Sequence, residues 1–362
     1  MDDRRTNPTI LDVARLAGVS TATAGRALGN YGSVGAQTRE RVRQAAAELG
    51  YRANGLARSM ITGSTNTLGV VIADIENPFF SRVLRGVSDA AHAAGFEVIL
   101  ANTDESADAE RTAIRVLLEK QVDGLLVCPA DTDDSSHLSD AVRSGTPVVL
   151  LDRRVRGLRA DTVGIDNRAA AREATEHLIA RGHRRIGLLT GVDVDAAGAF
   201  GAERLEGIER ATVNTTGERA AGYRDALLAA KLPVRSDLVS TDGFRRQDAA
   251  KATARMLAGR RPPTALLALD SVLALGALQA IRELGLNCPQ DVSLIGFDEA
   301  DWTDVMTPPL SVIAQPENEI GSVACGLLLD RIAGSDRAPV HRKLPVRYVE
   351  RESVAVAPRR AR

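Results

Sequence analysis

Residues able to carry catalysis are present in this chain but are not arranged for it. The five histidines, His92, His137, His177, His183 and His341, are scattered, and no Gly-rich phosphate loop, His-Glu-x-x-His pair or paired-cysteine spacing occurs. His183, beside Arg184 and Arg185, reads as a surface turn before a strand rather than a general base. Cys128, Cys288 and Cys325 lie far apart and read as reduced structural thiols. No catalytic residue, metal ligand set or cofactor is therefore expected. The spacing near the N-terminus supports recognition chemistry instead. On a helix beginning after Ser20, Thr21, Ala22 and Arg26 share an exposed face. Arg26 has the planar fork that pairs with a guanine edge, while Thr21 and Ala22 are short enough to offer only methyl contacts or one hydrogen bond.

The elements that would hold this face are legible around it. Thr9 is a natural N-cap for a first helix, with Leu11, Ala14, Leu16 and Ala17 expected as its buried stripe. Gly18 supplies a positive φ to end it, Val19 tucks between helices, and Ser20 caps the next one, which makes a helix-turn-helix of the DNA-reading kind. A third helix is expected over 37–49, with Gly35 as N-cap, Val42, Ala45, Ala46 and Leu49 inward, and Gly50 as its stop. Ser20, Thr23, Asn30 and Arg39 suit phosphate contacts that set register. Charge agrees: residues 1–60 hold nine Arg and no Lys against five acidic residues, whereas the remainder holds 37 basic and 42 acidic residues.

Beyond this head, Asn54 would cap a short helix through Met60, followed by a flexible link over 62–66. From Leu68 the texture becomes short apolar runs between amphipathic helices. Strands are expected at 68–73, 98–101, 125–128, 148–151, 163–165, 186–189, 238–240, 265–269, 293–297 and 311–314. Continuous Val, Ile and Leu runs of this kind imply parallel sheets covered on both faces, and their number implies two lobes with a binding crevice at the strand carboxyl ends. The first residues are not followed by an apolar core suited to a signal peptide, and no run approaches a membrane span. A soluble, cytoplasmic, nucleoid-associated protein is the expectation.

Residues 9–60 resemble the DNA-binding head of the lactose/galactose repressor (LacI/GalR) family. The matching pieces are Asp12-Val13-Ala14, Ala17-Gly18-Val19-Ser20, Arg26-Ala27-Leu28, Thr38-Arg39-Glu40-Arg41-Val42, Leu49-Gly50-Tyr51 and Ala57-Arg58-Ser59-Met60. The rest resembles that family's periplasmic-binding-protein-like body through Asn77-Pro78-Phe79-Phe80, Leu151-Asp152-Arg153, Gly182-His183-Arg184-Arg185-Ile186, Gly222-Tyr223, Gly296-Phe297-Asp298 and Pro309-Leu310-Ser311.

The resemblance implies a helix-turn-helix head over 1–52, a hinge helix and linker over 53–66, and an effector-binding and dimerisation domain over 67–362. That domain would divide into an N-lobe of about 67–163 and 316–344 and a C-lobe of about 164–315 and 345–362. It further implies that the hinge helix orders on DNA, with Ala57 and Met60 at the minor groove and Met60 as the wedge, where the family usually has Leu. Effector residues carried over from the family are Phe79 and Phe80 for stacking, and Asp152, Arg153, Arg219 and Asp298 for polar anchoring.

Three departures stand out. Gly25 replaces the family's usual Ser, at a cost in helix propensity. Leu269 precedes Asp270 where the family commonly has Asn, which would make that side of the pocket more apolar. Residues 196–214 look inserted and contain Arg204, an alternate to Arg219 as the ligand arginine.

The implied function is a sequence-specific transcriptional regulator, a repressor in the first instance. It would bind a palindromic operator as a homodimer, under control of a sugar or related metabolite held between the lobes. The tail, 353–362, has no leucine heptads and so no tetramerising coiled coil. The alternatives are a solute-binding protein without a DNA role and an α/β enzyme. The first lacks its signal peptide, and the second its phosphate or dinucleotide loop.

Overall fold

A computed structural model describes residues 8–29, 32–51, 63–191, 214–240 and 243–358. The head consists of α1 (Ile10–Ala17), α2 (Thr21–Gly29) and α3 (Ala36–Leu49). Thr9 and Asp12 form a capping box, and Gly18 takes φ 64° to end α1. Val19 N then returns to Ala14 O at 3.0 Å, closing the turn. Val13, Ala14 and Ala17 of α1, Ala24 and Ala27 of α2, and Val42, Ala45 and Ala46 of α3 form the core of the head.

The stripe expected on α1 was wrong in part: Leu11 is 59% exposed and Leu16 47%. The inward positions are 13, 14 and 17, with Ile10 packed at their edge, which is the i, i+3, i+4, i+7 set of a 3.6-residue period. Leu11 and Leu16 fall off that face whatever their hydropathy. Asn30, the hinge-helix positions Ala57 and Met60, and the segment 196–213 with Arg204 lie outside the described residues. The stretch read as a flexible link is held at its described end: Asp123 accepts from Ser64 Oγ, Thr65 N and Thr67 N at 2.8, 2.9 and 3.2 Å.

The body is α/β, built on two six-stranded sheets. Its strands are β1 (Thr67–Ile72), β2 (Glu97–Asn102), β3 (Gly124–Val127), β4 (Val148–Leu151), β5 (Asp161–Ile165), β6 (Ile186–Leu189), β7 (Val239–Ser240), β8 (Ala265–Ala268), β9 (Ser293–Phe297), β10 (Ser311–Ala314), β11 (His341–Leu344) and β12 (Arg347–Val349). The first sheet runs β11-β5-β4-β3-β1-β2 and the second β12-β10-β9-β8-β6-β7. The pairings β1·β3, β3·β4, β4·β5 and β5·β11 in the first are parallel, as are β6·β7, β6·β8, β8·β9 and β9·β10 in the second. Among the registered pairings of the described residues, β12 is antiparallel, against β10.

The covering helices used below are α4 (Pro78–Ala93), α5 (Ala107–Glu119), α6 (Ser136–Arg143), α7 (Asn167–Ala180), α8 (Asn214–Ala229), α9 (Arg246–Leu257), α10 (Ser271–Glu283) and α11 (Glu317–Ile332). Three helix pairs approach closely through glycine. A Cβ added at Gly321 of α11 would sit 2.0 Å from Val83 O on α4, one at Gly222 of α8 2.2 Å from Arg168 O on α7, and one at Gly276 of α10 2.5 Å from Arg246 O on α9. Backbones in such contact hold the layers, and with them the strand ends, in fixed relation.

Two strands escaped the apolar-run criterion. β11, His-Arg-Lys-Leu, is mostly exposed at the sheet edge, and β12 is an edge strand in the second sheet. Edge strands bury little, so their sequences need no apolar run. β5 also begins earlier than its apolar residues, at Asp161, whose fully buried carboxylate accepts from Arg331 Nε at 2.8 Å, Arg337 Nη1 at 2.7 Å and Val340 N at 2.7 Å. That carboxylate ties the connection between α11 and β11 to the sheet.

His183 is not on the surface as expected. It is 1% exposed, with Nδ1 2.8 Å from Thr264 Oγ1 and Nε2 3.1 Å from Ala355 O. Nε2–H donates to the carbonyl and Nδ1 accepts from the hydroxyl, so the neutral ring pins the C-terminal segment. Burial, joined by the nearby Arg184 and opposed by the Ala355 hydrogen bond, holds its pKa below 6.5. Between the folded value and 6.5 the unfolded chain binds the extra proton, so this contribution is whole above pH 6.5 and is lost as pH falls. Urea midpoints for His183→Asn and the parent, compared between pH 8 and pH 5, should therefore converge toward the acid end. A constant gap would remove the protonation linkage.

Candidate DNA-reading and effector sites

In the head, Thr21, Ala22 and Arg26 are exposed on α2, whose opposite side buries Ala24 and Ala27. Arg26 Nε donates to Ala22 O at 3.3 Å, and its terminal nitrogens bond to no described residue. Ser20 Oγ accepts the Thr23 amide at 3.1 Å and so caps α2, and it sits 2.8 Å from Thr23 Oγ1, with which it pairs. Arg39, half-buried on α3, has an Nε with no partner among the described residues.

In the body, a cavity of about 420 Å³ opens where strands of both sheets end. Asp152 follows β4 and Asp298 follows β9, and both take left-handed conformations, φ 61° and 68°, which Asp tolerates. α4 enters the wall at its N-terminus. Asn77 caps it by accepting Phe79 N at 3.0 Å, and Phe79 and Phe80 follow as an edge-to-face pair 5.1 Å apart. From α8 comes Arg219, 7% exposed, with Nε on Asn167 Oδ1 at 2.7 Å, Nη1 on Leu269 O at 2.5 Å, and its guanidinium 4.3 Å above the Phe297 ring. The structure thus brings Phe79, Phe80, Asp152, Arg153, Arg219 and Asp298 into one cavity wall.

Arg153 differs from the others in how it is used. Its two terminal nitrogens form a fork on Glu105, each at 2.6 Å, and Nη1 also donates to Pro129 O at 2.9 Å. This arginine positions Glu105, and its Nε has no partner among the described residues.

On the side where Leu269 stands in place of Asn, Leu269 and Val272 line the cavity together with Asp270. Leu269 is buried, and Asp270 beside it caps α10 by accepting Leu273 N at 2.7 Å. Burial, with the charge of Asp298 adding to it against the cap bond and Arg219, pushes Asp270 up to about 7. Burial also raises Asp298 against Arg219 and Gln315, and raises Asp152 against Arg219 and Arg153. Glu317, at the start of α11, is lifted to about 7 by burial and by Asp298.

Asp270, Gln315 and Phe244 were missed in the sequence. Asp152 and Asp298, carried over from the family, each follow a buried strand, and the same criterion of position applied to β8 points to Asp270. Gln315 donates to Asp298 Oδ1 at 2.5 Å and follows β10 directly, so it too stands at the end of a buried strand, although an Asp-only criterion passes it over. Next to the cavity, Arg82 of α4 donates to Glu299 O and pairs with Asp301, which joins a helix of the first sheet to the loop after β9.

Residues 9–54 match the family model described as "Bacterial regulatory proteins, lacI family", and residues 65–352 match "Periplasmic binding proteins and sugar binding domain of LacI family". The HTH-type transcriptional repressor CytR of Escherichia coli is 33% identical over 355 residues, 98% of each chain. The repressor PurR of Aliivibrio salmonicida is 32% identical over 324 residues, 90% of this chain and 92% of its own. Among solved structures, the lac repressor dimer bound to operator and the anti-inducer ONPF superposes with a TM-score of 0.81 at 26% identity, covering 97% of this chain and all of that one. The regulator CelR in complex with cellobiose gives 0.69 at 30% identity, covering 96% and 99%. These relatives are repressors and regulators, not enzymes. No described helix is long and apolar enough to cross a membrane. The chain belongs to the lacI family of bacterial regulatory proteins, as a DNA-binding transcriptional repressor governed by a small molecule bound in its body.

Proposed function

We propose that the head, residues 1–52, reads a palindromic operator through Thr21, Ala22 and Arg26. Ser20, Thr23, Asn30 and Arg39 set its register on phosphates, and Ala57 and Met60 of the hinge engage the minor groove. The effector, a sugar or related polar metabolite, occupies the cavity against Phe79 and Phe80, anchored by Asp152, Arg219 and Asp298, with Arg153 holding Glu105 in place. Two lobes, about 67–163 with 316–344 and about 164–315 with 345–362, form its walls. The observation that carries this reading is the origin of those walls: Phe79, Phe80 and Asp152 belong to the first sheet's layers, Arg219 and Asp298 to the second's. A ligand touching both has different free energies in different lobe arrangements, which is what control of DNA affinity requires.

The working unit is a homodimer acting in the cytoplasm on chromosomal DNA, since a two-fold operator calls for two heads. The second copy is placed against exposed Val305 and the mixed groove lined by Leu278, Trp302 and Met306 with Arg246, Gln279 and Arg282. The test is a thermal-shift screen of the full chain against sugars and nucleosides, with each hit carried into an operator-binding titration. Asp298→Asn keeps the left-handed turn available and leaves operator binding intact, and is expected to abolish the ligand's influence on it. An undiminished response in that variant would place the effector elsewhere.

A further inference from the structure

Resting on the reading of the 420 Å³ cavity as the effector site, we infer that its ligand carries a protonated amine, bound among Asp152, Asp270, Asp298 and Gln315 and flanked by phenylalanine rings.

The first ground is charge. Arg153 is neutralised in place by its fork on Glu105, so Asp74, Asp152, Asp270 and Asp298 share the one remaining cation of the described wall, Arg219. Arg219 gives its Nε and Nη1 to neutral acceptors, Asn167 Oδ1 and Leu269 O, and so offsets the carboxylates only through its field. The second ground is the kind of hydrogen bond left open. Gln315, 5% exposed, donates Nε2 to Asp298, which fixes Oε1 as an acceptor with no partner among the described residues. Asp152 Oδ1 is likewise buried and has no partner among the described residues. Both need a donor, and an ammonium has three. The third ground is the aromatic lining: Phe79, Phe80 and Phe244 present ring surface to the same space, and a cation gains from it what a neutral group does not.

A polyol would satisfy the acceptors but would bring no charge to stabilise the ionised forms of carboxyls that burial raises. Burial, with a smaller contribution from the Asp298 charge, lifts Asp270 to about 7 against its cap bond to Leu273 and the pull of Arg219. Facing it from the other walls are Asp74, Asp152 and the neutralised Glu105–Arg153 pair. An incoming ammonium stabilises the ionised Asp270, so binding near pH 7 expels a proton from the site to solvent.

The experiment is calorimetry on the full-length protein with ethanolamine, glucosamine and galactosamine. Each is compared with its hydroxyl counterpart, ethylene glycol, glucose or galactose, and the amino sugars also with their N-acetyl forms. Expected are affinities at least about tenfold higher for the amine, one charge-assisted contact's worth, with heats that vary with buffer ionisation in the sense of proton release. Asp270→Asn keeps an acceptor to cap α10 and is expected to remove both the preference and the proton release, with its urea midpoint reporting that the fold persists. Equal or tighter binding of the hydroxyl counterparts overturns the inference. So do silent amines: if sugars or nucleosides then bind and alter operator affinity, the effector site stands and only its cationic ligand falls. If nothing binds, both fall.

Discussion

Replacing Arg219 by Met should lower the unfolding free energy by about 2–6 kcal/mol, the cost of leaving two buried acceptors unsatisfied. It should also abolish any effector response. The side chain is 7% exposed and satisfies two buried acceptors, Asn167 Oδ1 and Leu269 O, and its guanidinium lies on the Phe297 ring. Met fills much of the volume but donates nothing, so each acceptor is left at about 1–3 kcal/mol. The carboxyls add a pH signature. Asp152, Asp270 and Asp298 are already raised by burial, and Arg219 is what draws each of them back down. Without it their folded pKa values climb further above those of the unfolded chain. An acid raised on folding contributes stability below its folded pKa and loses it as pH rises through that value. Urea denaturation of the variant should thus show a larger deficit at pH 8 than at pH 6. A deficit independent of pH would mean that Arg219 acts by packing and hydrogen bonding alone.

Arg26→Ala should weaken binding to the cognate operator by about 1–3 kcal/mol, while affinity for scrambled duplex changes little. Arg26 is exposed on α2, and its Nε bond to Ala22 O at 3.3 Å holds the stem while leaving the terminal nitrogens for a base edge. Its neighbours Thr21 and Ala22 are too short to replace that contact, so one base position should relax in specificity. Fluorescence anisotropy at fixed salt, on operator and scrambled DNA in parallel, distinguishes the roles. Equal losses on both would make Arg26 a phosphate contact, since those carry no sequence information.

Much of the architecture was readable because its determinants are local. The runs Val148–Leu151, Ile186–Leu189, Ser293–Phe297 and Ser311–Ala314 are strands with the bounds their apolar residues suggest, because a strand buried on both faces admits little else. Gly18 and Gly50 end their helices at φ 64° for a reason written in one residue each. Where the reading failed, hydropathy had been used in place of geometry. Leu11 and Leu16 were assigned inward by type, although the helical period sets them off the packed face. β11 was passed over because an edge strand of His, Arg and Lys has no apolar signature.

By itself, then, the sequence determined the elements, the exposed face of α2 and the family resemblance, since each depends on residues within a few positions of one another. Only the tertiary structure decided which groups share an environment. It brought Asp270 beside Asp298 and Arg219, engaged Arg153 with Glu105, and buried His183 under the C-terminal segment. Burial and electrostatic fields act over a few ångströms of space whatever the separation in sequence, and those distances exist only once both sheets have formed and their strand ends face one cavity.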